Sequence, residues 1–334
     1  MIKVGINGFG RIGRSVFRIL HTRKDVEVVA INDIFTTEAL AYLLKYDTIM
    51  GTLKTDVRFD AEALYVDNQK TLLTKIKDPK DLGWKDLGVQ IVIESTGKFT
   101  ARTELEKHLQ AGAERVLLTV PPKDEIDAMI VMGVNDQTLR ADHRLVSNAS
   151  CTTNCLAPLA KVIDQNFGIE RGFMTTVHAY TNDQRLADVP HKDFRRSRAA
   201  AENIIPTTTG AARAVGKVLP QLKGRLDGIA TRVPVPDGSI VDLVVKMQKK
   251  PTRDDINNAV KNAAMNELKD VLEYSTVPLV SSDIIGNPHS SIFDSLLTQT
   301  LGDGYCRVVS WYDNEWGYSN RCVDLIDRLA KLSR

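Results

Sequence analysis

The sequence "IKVGINGFGRIGRSVFRIL" at residues 2–20 decides the fold of the first half of the chain. It opens with a β-branched run, breaks at a glycine cluster, and then places Ile12, Val16 and Ile19 at the spacing of one helix face. The run "VEVVAIND" at residues 26–33 follows as a second buried strand. Strand, glycine turn, helix and strand make a βαβ unit, which predicts a parallel sheet.

The glycine cluster has the spacing of a dinucleotide-binding turn. Gly8 permits the tight turn, Gly10 lets a pyrophosphate approach the backbone, and Gly13 allows the helix to pack closely. The helix N-terminus attracts the anion. Asp33 follows at the end of the second strand, where its carboxylate accepts hydrogen bonds from the adenosine ribose hydroxyls. An ordinary glycine turn is the alternative, but the strand context and the spaced acid favour the dinucleotide site.

The character of the chain changes near residue 150. Before it, further short apolar runs continue the parallel pattern, and after it longer runs alternate apolar and polar residues, as in an antiparallel sheet. We therefore predict an α/β protein with a Rossmann-type parallel-sheet domain at 1–150 and an α+β catalytic domain with a mainly antiparallel sheet at 151–314. The tail at 315–334 has helical spacing, and we expect it to complete the first domain.

Composition and charge exclude several classes of protein. The 334 residues carry 44 Lys and Arg against 42 Asp and Glu, a net charge of +2, which favours neither a nucleic acid nor an anionic membrane as primary partner. No apolar run approaches the roughly 18 residues of a membrane span. The start at residues 1–6 is strand-like rather than a signal peptide, so we expect a cytoplasmic protein.

The segment "SNASCTTNC" at residues 147–155 places two cysteines four apart before an apolar series. A disulfide between Cys151 and Cys155 fits neither the geometry of a helix face nor a reducing compartment, and a zinc site would need more ligands, so we expect no metal. A buried core thiol is the usual alternative. Because Ser150 is a good N-cap, the sulfur of Cys151 would lie at a helix N-terminus, which favours the thiolate and lowers its pKa. We predict Cys151 as a nucleophile and Cys155 as core.

A nucleophilic cysteine needs a base, and His178 stands at the exit of the strand-like "FMTTVHAYT". By itself the local sequence favours neither a catalytic nor a structural role for this histidine. The histidines at positions 21, 108 and 143 lie among charged residues, and we expect them at the surface.

Cationic and hydroxyl side chains accumulate in the second half of the chain. Thr181, an arginine cluster at 195–198, the segment "PTTTGAA" at 206–212 and Arg232 have the chemistry of phosphate ligands. A solvated or subunit-contacting basic face remains the alternative for the arginine cluster.

With these features together, the chain closely resembles the phosphorylating glyceraldehyde-3-phosphate dehydrogenase family of the bacterial type. The resemblance covers essentially the whole chain, through the motifs INGFGRIGR, AIND, VIESTG, SNASCTTNC, HAYTNDQ, IIPTTTGAA, RVPVP and SWYDNEWGYSNR. It implies Cys151 as the nucleophile and His178 as its acid and base. It implies NAD contacts, in addition to the glycines, from Arg11, Ile12, Asp33, Lys77, Thr119 and Asn314. For the substrate and phosphate it implies Ser150, Thr152, Thr181, Arg196, Thr209, Gly210 and Arg232, with Arg196 chosen from its cluster.

The resemblance implies a reaction and an assembly. Glyceraldehyde 3-phosphate is oxidised by NAD through a cysteine thioester, which inorganic phosphate cleaves, and the enzyme is a homotetramer of glycolysis and gluconeogenesis. One alternative is an erythrose-4-phosphate dehydrogenase, which shares the fold and the Cys–His pair. An alternative from another class is a surface or RNA-binding protein, against which the near-neutral charge argues.

Asp33 should give a preference for NAD over NADP. Its carboxylate accepts from ribose hydroxyls but repels a 2′-phosphate, an effect of about 1–3 kcal/mol. We expect Asp33→Gly to narrow the ratio of kcat/KM values for the two cofactors, measured as reduced cofactor at 340 nm under matched conditions. Equal use of both cofactors by the unmodified protein would contradict the assignment.

Overall fold

A computed structural model describes residues 1–332. The helices are α1 (Arg11–His21), α2 (Thr37–Lys45), α3 (Arg102–Gln110), α4 (Cys151–Phe167), α5 (Ala211–Val218), α6 (Arg253–Met265) and α7 (Trp316–Leu332). The predicted C-terminal helix is thus present from Trp316, and its expected last two residues lie outside the described range. None of the helices within residues 1–332 combines the length and apolar character that a membrane span requires.

The strands form two sheets, and short 3-10 helices occupy some of the connections. The strands are β1 (Ile2–Asn7), β2 (Val26–Asn32), β3 (Val57–Phe59), β4 (Ala63–Val66), β5 (Gln69–Thr74), β6 (Ile91–Glu94), β7 (Arg115–Leu118), β8 (Ala128–Met129), β9 (Leu145–Ser147), β10 (Ile169–Ala179), β11 (Ile205–Thr208), β12 (Leu226–Val233), β13 (Ser239–Met247), β14 (Leu272–Ser275), β15 (Ser291–Asp294), β16 (Gln299–Thr300) and β17 (Tyr305–Tyr312).

The first compact unit comprises residues 1–130, 137–149 and the chain from Ser319 onward. Its sheet has the order β3-β4-β5-β2-β1-β6-β7-β9-β8, and all neighbours from β5 to β8 run parallel. Only β3 and β4, at one edge, pair antiparallel. The central order β5-β2-β1-β6-β7-β9 is that of a dinucleotide-binding fold, in which the strand order reverses beside the first strand. The predicted Rossmann-type parallel sheet is confirmed.

The second compact unit comprises residues 131–136 and 150–318. Its sheet has the order β11-β12-β10-β13-β17-β15-β14, with β16 paired to β17. Five pairs are antiparallel, and two, β10 with β12 and β14 with β15, are parallel. The predicted mainly antiparallel sheet is therefore confirmed. Strands such as β13 alternate buried and more exposed positions, because one face of the sheet packs against helices.

Two histidines expected at the surface are instead buried. His108 has no exposed area and His143 only 7%. The Nε1–H of Trp84 donates to Nδ1 of His108 at 3.1 Å, so the ring proton is on Nε2, which donates to the carboxylate of Glu94 at 3.0 Å. The surface prediction was wrong because the charged neighbours of His108 along the chain occupy the other faces of helix α3.

The Glu94 carboxylate is a fully buried acceptor that joins four parts of the first unit. It accepts from Nδ2 of Asn7 at 2.6 Å, from the backbone N–H of Thr96 at 2.9 Å, from the Thr96 hydroxyl, and from His108. These donors occupy the four lone-pair sites of an ionised carboxylate, so the buried charge is stabilised by hydrogen bonds. Asn7 and Thr96 flank the glycine turn, which this network therefore holds in place.

His108→Leu should destabilise the first unit. The change leaves Trp84 Nε1 without its acceptor and the Glu94 carboxylate short of one donor, which costs about 2–4 kcal/mol. Urea unfolding followed by far-UV circular dichroism measures the loss. The matched control on the same helix is Glu106→Gln, whose exposed ion pair with Arg102 contributes at most about 0.5 kcal/mol. Similar midpoints for both variants would contradict the role given to His108.

Candidate active site

The turn after β1 has the geometry that a dinucleotide needs. Gly8 has φ +94°, and a Cβ there would lie 2.6 Å from the backbone nitrogen of Thr96. A Cβ on Gly13 would lie 2.2 Å from the carbonyl oxygen of Gly8, whereas a Cβ on Gly10 would meet nothing within 4 Å. Gly10 also precedes helix α1 and has no side chain to cap it. The open backbone at Gly10 and the uncapped helix N-terminus fit a pyrophosphate group.

Asp33 is placed beside this turn by the parallel pairing of β1 and β2. Its Oδ2 accepts from the backbone N–H of Phe9 at 2.7 Å, and its backbone N–H donates to Thr74. One carboxylate oxygen is thus fixed by the turn itself. The other carboxylate oxygen, Oδ1, accepts from the backbone N–H of Phe35 at 3.3 Å. Both oxygens of Asp33 are therefore anchored by backbone groups, and the carboxylate faces a partly open loop.

The other residues proposed to contact the cofactor from the first unit differ in their surroundings. Arg11 forms an ion pair with Asp47, and Ile12 is half-buried at the start of α1. Lys77 is exposed after β5. Thr119 is buried at the end of β7, and its hydroxyl donates to the carbonyl oxygen of Glu94 at 3.1 Å. The structure therefore puts Asp33 and Thr119 at the same carboxyl edge of the sheet as the glycine turn.

Cys151 is the first residue of α4, as predicted. The N-cap Ser150 accepts the backbone N–H of Thr153 through its hydroxyl oxygen at 3.0 Å. The Cys151 sulfur lies 3.5 Å from Nε2 of His178, and the residue as a whole is half-buried. Cys155 is fully buried one turn further along the helix, which confirms its assignment to the core.

His178 is held on its other ring nitrogen by two groups. Its Nδ1 lies 2.7 Å from the carbonyl oxygen of Ala179 and 2.6 Å from Nη1 of Arg232. Strands β10 and β12 pair His178 directly with Arg232, which explains the contact. Each neutral tautomer thus has a partner, since Nδ1–H donates to Ala179 and a bare Nδ1 accepts from Arg232.

Burial and charge act on both members of the Cys–His pair. Burial, and after it the positive charge of Arg232, lowers the pKa of His178 to about 3, so the imidazole is neutral at pH 7. Burial raises the pKa of the Cys151 thiol, whereas Arg232 and hydrogen bonds from Thr152 lower it by less. The sequence predicted a lowered pKa from the helix N-terminus. That prediction was wrong in direction, because it could not account for the burial of the sulfur.

Tyr312 is a member of this site that the sequence did not reveal. Its hydroxyl lies 2.8 Å from Thr152 Oγ1 and 2.9 Å from Thr176 Oγ1, and its ring packs edge-on against His178. The sequence signals were its position in β17 and its place within the motif SWYDNEWGYSNR, neither of which indicated this contact. Ser239 was also missed, although its hydroxyl donates to Oδ1 of Asn314 at 2.6 Å.

The residues proposed to bind anions are gathered at two helix starts and one strand end. The hydroxyl of Thr153 donates to the carbonyl oxygen of Ala211 at 3.5 Å, which brings the start of α4 to that of α5. Thr209 and Gly210 precede α5, and the Thr209 hydroxyl accepts the N–H of Ala211 at 3.1 Å. Thr181 follows β10 and is half-buried.

The contacts of Arg196 distinguish it from its two arginine neighbours. Its Nε donates to the Thr207 hydroxyl at 2.8 Å and its Nη2 to the Thr208 carbonyl oxygen at 3.3 Å, and it forms an ion pair with Asp183. Arg195 and Arg198 are exposed. Of the cluster, Arg196 is the arginine that the structure brings to the segment before Gly210. Among residues 1–332, no three His, Cys, Asp or Glu side chains cluster as ligands of a metal ion would.

A parallel sheet with a glycine turn for a dinucleotide, and a second unit that pairs a cysteine at a helix start with a histidine on its sheet, are typical of dehydrogenases that use a cysteine nucleophile. The sequence profile for "Glyceraldehyde 3-phosphate dehydrogenase, NAD binding domain" matches residues 2–102, and that for the C-terminal domain of the same enzyme matches residues 150–314. The chain belongs to the glyceraldehyde-3-phosphate dehydrogenase family.

Individual relatives cover nearly the full length of the chain. It is 58% identical over 327 residues to glyceraldehyde-3-phosphate dehydrogenase of Streptomyces coelicolor, covering 97% of each chain. It is 56% identical over 326 residues to glyceraldehyde-3-phosphate dehydrogenase 2 of Streptomyces avermitilis, again covering 97% of each. With glyceraldehyde-3-phosphate dehydrogenase 1 of Bacillus subtilis the identity is 54% over 331 residues, covering 99% of this chain and 98% of the relative.

Cys151 should be the one thiol that iodoacetamide modifies at neutral pH. Cys155, Cys306 and Cys322 are buried and offer the reagent no access, and burial also raises the pKa of Cys155 and Cys306 to about 12, so these two carry little thiolate. Mass spectrometry of tryptic peptides should find the label on Cys151 alone, and Cys151→Ser should abolish labelling while Cys155→Ser should not. Since burial raises the pKa of Cys151, the rate should still be rising above about pH 8.5. Uniform labelling of all four thiols would refute the assignment.

Proposed function

We propose that this chain oxidises D-glyceraldehyde 3-phosphate with NAD and inorganic phosphate, giving 1,3-bisphosphoglycerate in glycolysis and gluconeogenesis. The observation that carries the proposal is the 3.5 Å contact between Cys151 Sγ and His178 Nε2 at the start of a capped helix. The family membership, with relatives of that name over nearly the whole chain, supports the choice of substrate.

We assign the parts of the chain accordingly. Residues 1–150, completed by the helix at 315–334, are the NAD-binding domain, and residues 151–314 are the catalytic domain. In the first, Gly8, Gly10 and Gly13 with Asp33 hold the dinucleotide. Further contacts come from Arg11, Ile12, Lys77 and Thr119, and from Asn314 to the nicotinamide amide. The open backbone at Gly10 supports the pyrophosphate position, and Ser239 orients the side-chain amide of Asn314.

Catalysis starts with addition of the Cys151 sulfur to the aldehyde carbon, coupled to loss of the thiol proton. In the tautomer that donates Nδ1–H to Ala179, the neutral imidazole of His178 presents a bare Nε2 to the thiol and takes this proton as the C–S bond forms, so no separate thiolate and imidazolium has to accumulate. The new oxyanion is stabilised by the backbone N–H of Cys151, one of the free N–H groups of the first helical turn.

His178 serves the following steps as acid and base. It returns a proton to the oxyanion and removes it again when the thiohemiacetal is oxidised to the thioester. NAD, when bound, accepts the hydride from the former aldehyde carbon. An oxygen of inorganic phosphate then attacks the thioester carbonyl, and the Cys151 thiolate leaves as the acyl phosphate forms.

Two anion positions follow from the charged and hydroxyl groups of the second unit. Arg232 and Thr181 take the phosphate of the substrate, because Arg232 carries a guanidinium whose Nε has no hydrogen-bond partner among residues 1–332. The attacking phosphate is held by Ser150, Thr152, Thr209, Gly210 and Arg196. The meeting of the α4 and α5 helix starts, and the contact of Arg196 with Thr207 and Thr208, support this second position.

We further propose a cytoplasmic homotetramer. Exposed apolar side chains on one face of the second sheet, Phe173, Ile229 and Val244, are 72%, 51% and 44% exposed and support contact with another copy of the chain. The free state of all four cysteines fits a reducing compartment. Light scattering coupled to gel filtration tests the assembly, and a monomer would contradict it.

The function is tested by following NADH formation at 340 nm with glyceraldehyde 3-phosphate, with and without inorganic phosphate. We expect sustained turnover only with phosphate, which cleaves the thioester. Erythrose 4-phosphate as substrate distinguishes the alternative dehydrogenase, because a higher kcat/KM for it would overturn our choice of substrate. Absence of turnover with either aldehyde would favour a binding role.

Arg232→Leu should raise the KM for a phosphorylated substrate much more than the KM for an unphosphorylated one. We expect the KM for glyceraldehyde 3-phosphate to rise by about 10–100-fold, because a charge-assisted bond worth about 1.5–3 kcal/mol is lost. The KM for unphosphorylated glyceraldehyde should stay nearly constant, while kcat falls for both because Arg232 contacts His178. The control is Arg213→Leu, which removes an exposed ion pair with Asp227. Equal rises in both KM values would make Arg232 structural.

A further inference from the structure

Asp237 is a buried carboxyl group for which the proposed mechanism has no use. It is 1% exposed and lies just before β13. Its Oδ1 accepts the backbone N–H of Gly238 at 2.8 Å, but its Oδ2 has no N–H or O–H donor among residues 1–332. A buried carboxylate oxygen without a donor carries a large desolvation cost, so this group calls for an explanation.

The neighbour of Asp237 is a second buried carboxyl, Asp313, which is also 1% exposed. Strands β13 and β17 pair Ser239 with Tyr312, so the residues just outside this pair, 237–238 and 313–314, lie side by side. The Asp313 carboxyl group is close enough to raise the pKa of Asp237. Two ionised carboxylates in one buried site would repel each other strongly, and a shared proton removes that repulsion.

The donors around the pair show which member carries the proton. Asp313 accepts three backbone N–H groups, from Glu315 at 2.9 Å, from Trp316 at 2.6 Å and from Gly286 at 2.7 Å. These bonds stabilise the ionised form of Asp313. Among residues 1–332, Asp237 accepts one backbone N–H on Oδ1, and its Oδ2 is the oxygen left without a donor. The proton therefore belongs on Oδ2 of Asp237, where it is donated to Asp313.

The pair supports the segment that carries Asn314. Asp313 immediately precedes Asn314 and anchors the first N–H groups at the start of α7. Ser239, two residues after Asp237, donates its hydroxyl to Asn314 Oδ1 at 2.6 Å. The amide of Asn314 is thus fixed from one side by the Asp313 turn and from the other by the start of β13. A hydrogen bond between Asp237 and Asp313 ties these two segments together.

We infer that Asp237 is a protonated carboxylic acid that donates to the Asp313 carboxylate and is a positioning residue for Asn314. The inference about cofactor binding rests on the proposed contact of Asn314 with the nicotinamide amide. When Asp237 loses its proton, the hydrogen bond becomes a repulsion, the Asp313–Asn314 turn shifts, and NAD binds more weakly.

The negative charges near Asp237 both act to keep it protonated. Burial, and then the Asp313 carboxylate and the charge of Glu315, raise the pKa of Asp237 to about 9. Cys151 also senses this charge, since an ionised Asp237 raises the pKa of that thiol. An ordinary unfolded aspartate has a pKa of about 3.9, so the folded chain holds an extra proton between the two values. Stability should therefore fall as pH rises from about 4 to about 9.

The protonation state is tested on the protein without NAD. Asp237→Asn offers an amide N–H to Asp313 and an oxygen to Gly238 at every pH, so it should fold normally. Urea unfolding between about pH 6 and pH 8 should show a slope of unfolding free energy against pH that differs from the wild type by about one proton. The wild type should also show a carboxylic acid C=O stretching band, shifted in D₂O, that Asp237→Asn lacks. Equal slopes together with an unchanged band would overturn the protonated pair.

Cofactor binding is tested by titrating NAD into each protein and following tryptophan fluorescence. The wild-type affinity should fall by up to about tenfold per pH unit above about pH 9, whereas that of Asp237→Asn should stay level. Asp237→Leu, which can donate nothing, should bind about tenfold more weakly at neutral pH, and the asparagine variant should restore that loss. The control is Asp242→Asn on the following strand β13. The partner of Asp242 is Arg307, and this variant should show the same pH dependence as the wild type.

The two measurements separate the parts of the inference. If the unfolding slope and the band behave as expected but the NAD affinity of the wild type does not change with pH, the positioning of Asn314 by Asp237 is overturned. If NADH formation from glyceraldehyde 3-phosphate is absent, the proposed reaction fails, while the spectroscopic and unfolding results still decide the state of Asp237.

Discussion

The close contact between Gly13 and the carbonyl oxygen of Gly8 is the constraint on which the first unit depends. A Cβ at Gly13 would lie 2.2 Å from that oxygen, so only glycine lets helix α1 begin so near the end of β1. This contact fixes the helix N-terminus over the carboxyl end of β1, which lies between β2 and β6 at the point where the strand order reverses. The buried carboxylate of Glu94 then holds both flanks of the turn through Asn7 and Thr96. A dinucleotide site follows from sheet order and backbone geometry more than from any charged side chain.

The second unit depends on a different constraint, the register of its sheet. Parallel pairing of β10 with β12 puts Arg232 beside His178, and helix α4 presents Cys151 to the other side of the imidazole. The positive charge of Arg232 lowers the pKa of both side chains, which favours the thiolate of Cys151 and the neutral imidazole of His178. Burial acts in the opposite direction on the thiol and in the same direction on the imidazole. The pKa values of Cys151 and His178 therefore depend on the balance between burial and the charge of Arg232.

Buried polar groups were the least predictable part of the molecule. Asn7 and Glu94 are 87 residues apart, and Asp237 and Asp313 are joined only through the pairing of β13 with β17. Along the chain His108 has charged neighbours, and it therefore resembled a surface position. Hydrogen bonding reverses that prediction, because a polar side chain with partners on other strands is stable inside the protein. No local pattern contains those partners.

The sequence by itself determined the elements whose cause is local. The glycine spacing produced the turn, the apolar periodicity produced the order of strands and helices, and Ser150 placed Cys151 at a helix start, since each depends on residues a few positions apart. Tertiary structure alone decided the partners of His178, the place of Tyr312 beside Thr152, the contacts of Arg196 with Thr207 and Thr208, and the direction of the pKa shift at Cys151. Those properties depend on burial and on contacts between strands distant in sequence, and both arise only when the chain is folded.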